Sequence, residues 1–379
     1  MDPVRNGSPD AACRGTADPE QFTSEALLAS TFRDEYDLGR ERLESLYSKS
    51  KRHQWNAELD VDWSRFEPDA DCLDRRADFL FRLTCVRELP DDQQTRLFRA
   101  ANVFLISQIL HGEQAALMTC GQLVNAVPDL DGKLAAAAQV IDEARHVEVF
   151  ARYLACHGRR FPMDPDLRSI VQQLLAEPDW EAKCVGMQVI LESIALSFFR
   201  LGEEIAVEPV LAQFIGRVHE DEARHVAYGV LTLEDRIPQL AEATRERLED
   251  WAYDAIARIG GRAGKPGFAS QLQALASSGI DLERFLPRLL EELAHPERLD
   301  LSGLRDPMAQ TVLPNLLRIG LVPDRLVPGY LAQGWRVDRE AGTVEDLHTF
   351  AAETRAIRGV FREQGADFAD PKQVSRASL

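Results

Sequence analysis

No run of this 379-residue chain approaches the ~18–20 consecutive apolar residues of a transmembrane helix. Its opening residues, Met1 to Asp10, also lack the apolar core of a secretory signal, so the expected location is the cytoplasm. Cysteine is scarce and unorganised: Cys13, Cys72, Cys85, Cys120, Cys156 and Cys184 show no C-x-x-C spacing. That argues against a zinc ribbon or a disulfide framework and predicts reduced thiols packed as small apolar residues. Positive charge is in short supply as well. The 44 Lys and Arg face 62 Asp and Glu, a formal charge of −18 that would repel phosphate backbones, so no nucleic-acid partner is expected. Sustained apolar alternation of the strand type is missing through the middle of the chain, and the expected class is all-α. With 45% hydrophobic residues the chain can bury a large core, and one big helical domain is favoured over two small ones.

What is present is one pentapeptide twice, Asp142-Glu143-Ala144-Arg145-His146 and Asp221-Glu222-Ala223-Arg224-His225, each inside a long run of helix formers. Glu and His at i and i+3 project from the same helix face, so each copy offers a carboxylate and an imidazole to one point in space. Thirty residues before each copy a lone Glu interrupts an apolar helical stripe. Glu113 stands in Ile106-Ile109-Glu113-Leu117-Cys120-Val124 and Glu192 in Val185-Val189-Glu192-Leu196-Phe199. A carboxylate on a core face needs a cation or a proton to neutralise it. Four carboxylates and two histidines from four helices form the di-iron carboxylate constellation: Glu113, Glu143, His146, Glu192, Glu222 and His225. Glu113, Glu143 and His146 recur 79 residues later as Glu192, Glu222 and His225, as in duplicated helix pairs. Iron suits such a mixed nitrogen and oxygen site, with manganese its main competitor.

At these residues, from Gly112-Glu113 through Asp142-Glu143-Ala144-Arg145-His146, the chain resembles the ferritin-like di-iron oxygenase and oxidase superfamily over roughly residues 92–235. Its members include monooxygenase hydroxylases, acyl-carrier-protein desaturases, arylamine N-oxygenases and the radical-generating subunit of ribonucleotide reductase. The resemblance implies a ferritin-like four-helix bundle and a di-iron oxidoreductase with dioxygen as co-substrate. It implies hydroxylation, desaturation or N-oxygenation of a small or carrier-bound organic substrate, and an external electron donor such as a ferredoxin or reductase. A homodimer stays open, and no membrane partner is expected. The resemblance also implies Glu143 and Glu222 as bridging ligands, Asp142 and Asp221 as acceptors of the other histidine's ring N–H, and Arg145 and Arg224 as their counter-charges.

The departures discriminate among relatives. Glu113 and Phe150 stand where the reductase subunit usually has Asp and its radical Tyr, and Ala116 and Met187 where the ligand-binding oxidases build a valine–tyrosine ether. Arylamine N-oxygenases add a third histidine on the last helix. His219 is the candidate here, three residues before Glu222 where four would be expected. Iron storage or ferroxidation is the alternative from a different class; the roughly 140 residues after Ile237 argue against a short cage-forming chain.

Leu117, Cys120, Phe150, Leu196, Phe199 and Gly229, one or two turns from the ligands, are the candidate pocket lining. They suit an apolar or aromatic substrate, although core packing requires the same residue types.

Four regions are expected: a disordered tail at 1–19, an N-terminal helix and aromatic strap at 20–68, the di-iron bundle at 69–238 and a C-terminal helical extension at 239–379. Within them, helices are expected at about 22–51, 69–87, 92–127, 130–157, 165–176, 179–206 and 208–235, then near 239–260, 267–277, 281–294, 303–319 and 344–364. Trp55 and Trp63 read as a strap packed on the bundle, with docking of a partner as the second reading. Gly260 to Gly267 reads as a loop, since no strand precedes it and the Gly-Lys-[Ser/Thr] ending of a phosphate loop is absent.

Overall fold

The computed structural model describes residues 21–260 apart from 33, 35 and 37, residues 276–293, residue 295 and residues 306–347. In chain order the first helices are Glu41–Arg52 (α1), Thr84–Arg87 (α2), Asp91–Ala126 (α3), Leu130–Cys156 (α4), Pro165–Ala176 (α5), Trp180–Cys184 (α6), Glu192–Ile205 (α7), Pro209–Arg236 (α8) and Glu242–Gly260 (α9). Further helices span Leu282–Leu293, Leu313–Arg318 and Val327–Ala332, and Trp335–Asp338 (β1) pairs antiparallel with Thr343–Asp346 (β2).

Local chemistry sets the ends of the bundle helices. Asp129 accepts from Gly132 N at 2.8 Å to cap α4, and Gly158, at φ 65°, follows its last turn. Glu208 accepts from Val210 N and Leu211 N at 3.0 and 2.8 Å to cap α8, with Pro209 preset for the first helical position. Asp164 caps α5 in the same manner ahead of Pro165. The expected helices at about 92–127, 130–157, 165–176, 179–206 and 208–235 are present as α3, α4, α5, α6 with α7, and α8.

The bundle pairs α3 with α4 and α7 with α8; α4 meets α8, and α1 lies against both. Between α6 and α7 the chain stays helical but widens into π winding at Val185–Leu191, just ahead of Glu192. The run Trp180–Ile205 is long and apolar enough to cross a membrane by length and composition, yet more than half of its most apolar window is buried in the protein, and it carries Glu192. Beyond α9, the helical run that includes Leu313–Arg318 covers α7: Thr311 Oγ1 donates to Ser193 O at 3.0 Å and Asn315 Nδ2 to Ser193 Oγ at 3.1 Å.

Three expected helices are corrected. Of the helix expected at about 22–51 only Glu41–Arg52 forms, with Leu43 buried; the described residues of 21–40 are not helical, and Leu27, Phe32 and Tyr36 are exposed, so this half of the apolar stripe lacks the burial that would stabilise a helix. Their path is held instead by backbone contacts, Thr31 N to Asn125 O at 3.0 Å and Gly39 N to Asp131 Oδ2 at 3.0 Å. Over 69–87 only short turns and α2 form. There Asp74 and Asp78 accept from the backbone N–H two residues on, at 3.0 and 2.7 Å, which competes with helix propagation. The start of the helix expected near 344–364 instead lies in β2, Thr343–Asp346. The expected tail at 1–19, most of the 267–277 helix and residues 348–364 lie outside the described residues.

Candidate metal centre

α4 and α8 each present their Glu and His across a single turn, α3 supplies Glu113, and α7 supplies Glu192 as its first residue. All six side chains are buried, at 5% exposure or less. They form two overlapping groups, Glu113, Glu143, His146 and Glu222 on one side and Glu143, Glu192, Glu222 and His225 on the other. Within each group one ligand atom per residue lies within 4.8 Å of the others, and Glu143 and Glu222 belong to both. His146 Nδ1 is 3.1 Å from Glu113 Oε2 and 3.2 Å from Glu222 Oε1. His225 Nδ1 is 3.1 Å from Glu143 Oε1, 3.3 Å from Glu222 Oε2 and 3.8 Å from Glu192 Oε2.

The donor set fits two divalent cations. Glu143 Oε2 and Glu222 Oε1 are buried and make no hydrogen bond, with the His146 ring 3.2 Å from the second, and bound cations would take those lone pairs. Burial and the Glu222 charge push Glu113 and Glu192 well above the usual carboxylate range. Burial acts upward on Glu143 and Glu222 too, but the imidazoles, His225 first, outweigh it and hold both low. Burial disfavours charge on His146 and His225, yet the surrounding carboxylates raise both well above the usual range. Protons would therefore compete with cations for these atoms, and metal binding there is expected to strengthen as pH rises.

Behind the rings the two helices exchange partners. His146 Nε2 of α4 meets Asp221 Oδ2 of α8 at 3.1 Å, and His225 Nε2 of α8 meets Asp142 Oδ2 of α4 at 3.4 Å. This leaves both Nδ1 atoms facing the carboxylates. Arg145 ties the aspartates together, donating to Asp142 Oδ1 at 2.6 Å and Asp221 Oδ2 at 2.9 Å, while Arg224 pairs with Asp221. Around Asp221, burial raises the pKa, but the His146 ring and the arginines pull it well below the usual range.

Three further residues touch the site in ways the sequence reading does not assign, Trp55 being expected only as part of the strap. Gln54 Nε2 donates to Asp142 Oδ1 at 2.9 Å, and Trp55 Nε1 to Asp221 Oδ2 at 2.8 Å. The strap thus closes over the aspartates, with Trp63 stacked near Phe214 at 6.5 Å. Gln139 Nε2 donates to both Glu143 Oε1 and Glu192 Oε1 at 2.9 Å. Its place one turn before Glu143 was the only available signal; Gln54 and Trp55 offered none, being more than 80 residues from the groups they bind.

His219 is not brought to the cluster. Its Nδ1 pairs with Glu203 Oε2 at 2.7 Å. At about 100° per residue, an offset of three places it on the side of Glu222 opposite His225, whereas an offset of four would share the His225 side. Buried Val218 occupies that position. The pocket candidates stand in different surroundings. Phe150 and Phe199 stack at 5.8 Å within an aromatic cluster, while Cys120 Sγ accepts from Gln188 Nε2 at 3.2 Å. Gly229 is a close-packing position, since a Cβ there would come 2.3 Å from Gln188 Cβ. Leu117 and Leu196 are half-buried.

A family model described as P-aminobenzoate N-oxygenase AurF matches residues 38–263, a span that includes every residue of the cluster. No curated protein matches the chain. Among solved structures, an R2-like ligand-binding oxidase with aerobically reconstituted Mn/Fe cofactor is 20% identical, covering 65% of this chain and 91% of its own, with a TM-score of 0.40. The R2-like ligand-binding oxidase from Sulfolobus acidocaldarius is 18% identical, covering 66% of this chain and 92% of its own, with a TM-score of 0.44.

Proposed function

This chain belongs to the P-aminobenzoate N-oxygenase AurF family of di-iron ferritin-like oxidoreductases, and on that premise we propose that it oxygenates a small or carrier-bound organic substrate with dioxygen. The observation that carries the reading is the pair of overlapping groups whose shared members, Glu143 and Glu222, keep buried oxygens that make no hydrogen bond. In this proposal Glu113, Glu143 and His146 serve one iron and Glu192, Glu222 and His225 the other, with Glu143 and Glu222 between them. Two reduced irons held there would supply electrons to dioxygen without an organic cofactor.

The chain's own contribution is orientation and exclusion of water. Asp142 and Asp221 hold the imidazoles from behind, so each Nδ1, once deprotonated, would turn its lone pair toward the cluster, and such partners also raise ligand basicity. Gln139 fixes the facing oxygens of Glu143 and Glu192. Phe150, stacked on Phe199, stands where a radical-storing relative keeps its phenol, which favours spending the oxidising equivalents on a bound substrate. Oxygenation of an arylamine nitrogen is the finer reading, taken from the activity in the family's name. Val218 in place of a third histidine is where this chain departs from the arylamine enzymes.

The test is direct. Protein loaded with ferrous iron without oxygen should hold about two irons per chain, since six ligands from four helices complete a dinuclear site. After reduction, exposure to ¹⁸O₂ with p-aminobenzoate and related arylamines should place ¹⁸O on the nitrogen. One tightly bound zinc per chain would sink the metal assignment. A stable tyrosyl radical in high yield, indifferent to added amines, would overturn the oxygenase reading.

A further inference from the structure

A cavity of about 240 Å³ opens on the outer side of Asp221. Its buried members are Trp55 and Asp221; its exposed rim carries Arg52, His53 and Gln54 from the end of α1 and the turn after it, and Arg217 and Glu220 from α8. Among the described residues neither Arg52 nor Arg217 is in an ion pair. Asp221 is already neutralised by Arg145 and Arg224, which leaves Glu220 as the one opposing acid in the lining. The mouth is therefore locally positive on a chain whose formal charge is −18. Below the mouth, Trp55 Nε1 reaches Asp221 Oδ2 at 2.8 Å, and the same oxygen lies 3.1 Å from His146 Nε2. Asp221, itself in the lining and held there by Trp55, thus stands between the cavity and a ring that faces the carboxylate cluster.

We propose that this cavity is the docking seat of an acidic electron-carrier protein, which sets a carboxylate between Arg52 and Arg217 and passes electrons in at the Trp55 contact. The inference rests on the oxygen-activating reading above, in which two electrons from outside must return both irons to the ferrous state; two one-electron carriers, each oxidised once, supply them. The cluster is buried, so the donor cannot touch it, and over most of this acidic surface a donor of like charge is repelled. Unpaired guanidiniums at a concave mouth reverse that repulsion where the covered distance to His146 is bridged by hydrogen-bonded side chains. A protein carrier is favoured over a small anion because five of the seven lining residues are exposed around an open rim, which suits a surface contact.

The experiment compares two reductants on the iron-loaded full chain: an acidic [2Fe–2S] ferredoxin kept reduced, and the methyl viologen radical cation, which has no use for a basic seat. Arg52→Glu with Arg217→Glu should slow reduction by the ferredoxin about tenfold or more and should not slow reduction by the viologen. Raising the salt should slow the ferredoxin reaction of the parent protein and barely affect the variant. The milder Arg52→Gln with Arg217→Gln should give an intermediate rate. The proposal is overturned if the ferredoxin reduces the charge-reversed protein at the parental rate, if both reductants slow equally, or if the ferredoxin reduces the parent no faster than it reduces the variant. A parent protein that binds two irons and oxygenates amines while failing these comparisons would leave the oxygenase reading standing and remove only the docking seat.

Discussion

The α3–α4 half and the α7–α8 half carry the same pentapeptide and the same outlying Glu, yet they surround the cluster with different matter. Shifted by 79 residues, Phe150 corresponds to Gly229, Cys120 to Phe199, Gln139 to Val218 and Phe104 to Lys183. Phe150 of α4 therefore faces Phe199 of α7 ring to ring at 5.8 Å and meets Phe214 edge-on at 5.4 Å. At the equivalent place Gly229 lets α8 press against the π-wound segment, with Gln188 filling the space and reaching Cys120. The outlying carboxylates differ accordingly: Glu113 rests 3.1 Å from His146, while Glu192 stands 3.8 Å from His225 and is held by Gln139 instead. The 79-residue repeat keeps the six clustered residues and not their walls, so two groups of equal composition become unequal in their surroundings.

That contrast can be broken most severely by removing what the halves share. Glu143→Ala with Glu222→Ala deletes both residues common to the two groups, and loss of nearly all bound iron is expected by metal analysis. Retention of two irons would show that the site lies elsewhere. Next in size are the walls. Phe150→Ala should cost about 3–5 kcal/mol in urea unfolding, from lost burial and the cavity left behind. Gly229→Ala should cost less, about 1–3 kcal/mol, because the new Cβ meets Gln188 Cβ and its backbone at 2.3 and 3.2 Å and α8 must shift. A neutral Gly229→Ala would mean that α8 is not pinned to the π segment.

Smaller effects sharpen the comparison at the ligands. Asp221→Asn keeps the shape behind His146 and removes the charge, and metal affinity or turnover should fall ~10–100-fold. Gln139→Leu should weaken chiefly the ion on the Glu192 side, toward the lower end of that range, since no second-half residue repeats the contact. Stepwise metal titration that showed both ions weakened alike would refute the asymmetry.

The smallest effect concerns Lys183, whose ammonium donates to Leu174 O at 2.6 Å, Leu175 O at 3.0 Å and Gln122 Oε1 at 2.6 Å, closing the end of α5. Burial pushes its pKa down to about 8. Between that value and the ordinary lysine range near 10.5, the unfolded chain binds more protons at this site than the folded one. The contribution to stability therefore rises with pH across that window, and the penalty is full below it. The parent's stability minus that of Lys183→Met should climb from pH 8 to about 10.5, and a flat difference would mean that the three carbonyls offset burial completely.

The six residues of the cluster were legible because each is a charged or titratable residue on a face otherwise apolar at helical spacing, and such a residue must be neutralised. The bundle helices were legible for similarly local reasons: their caps and stops, such as Asp129, Gly158 and Pro209, lie within a turn of the ends they set. Local signals failed where a segment had two uses. Residues 21–40 carry an amphipathic pattern of which Leu27, Phe32 and Tyr36 stay exposed, and Asp74 and Asp78 bond their own backbone in a stretch that could have been helix. His219 has the right residue type one turn before Glu222, but its phase sends it to Glu203.

By itself, then, the sequence determined an all-α chain with two Glu-x-x-His faces and two outlying carboxylates, since helical periodicity and the cost of buried charge act within a few turns. Only the tertiary structure decided that His146 is held by Asp221 and His225 by Asp142, that Gln54 and Trp55 close over those aspartates, and that Gly229 rather than an aromatic ring meets the π segment. Each of these joins residues at least 40 apart in the chain, and their pairing follows from which helix faces which, a choice no local pattern encodes.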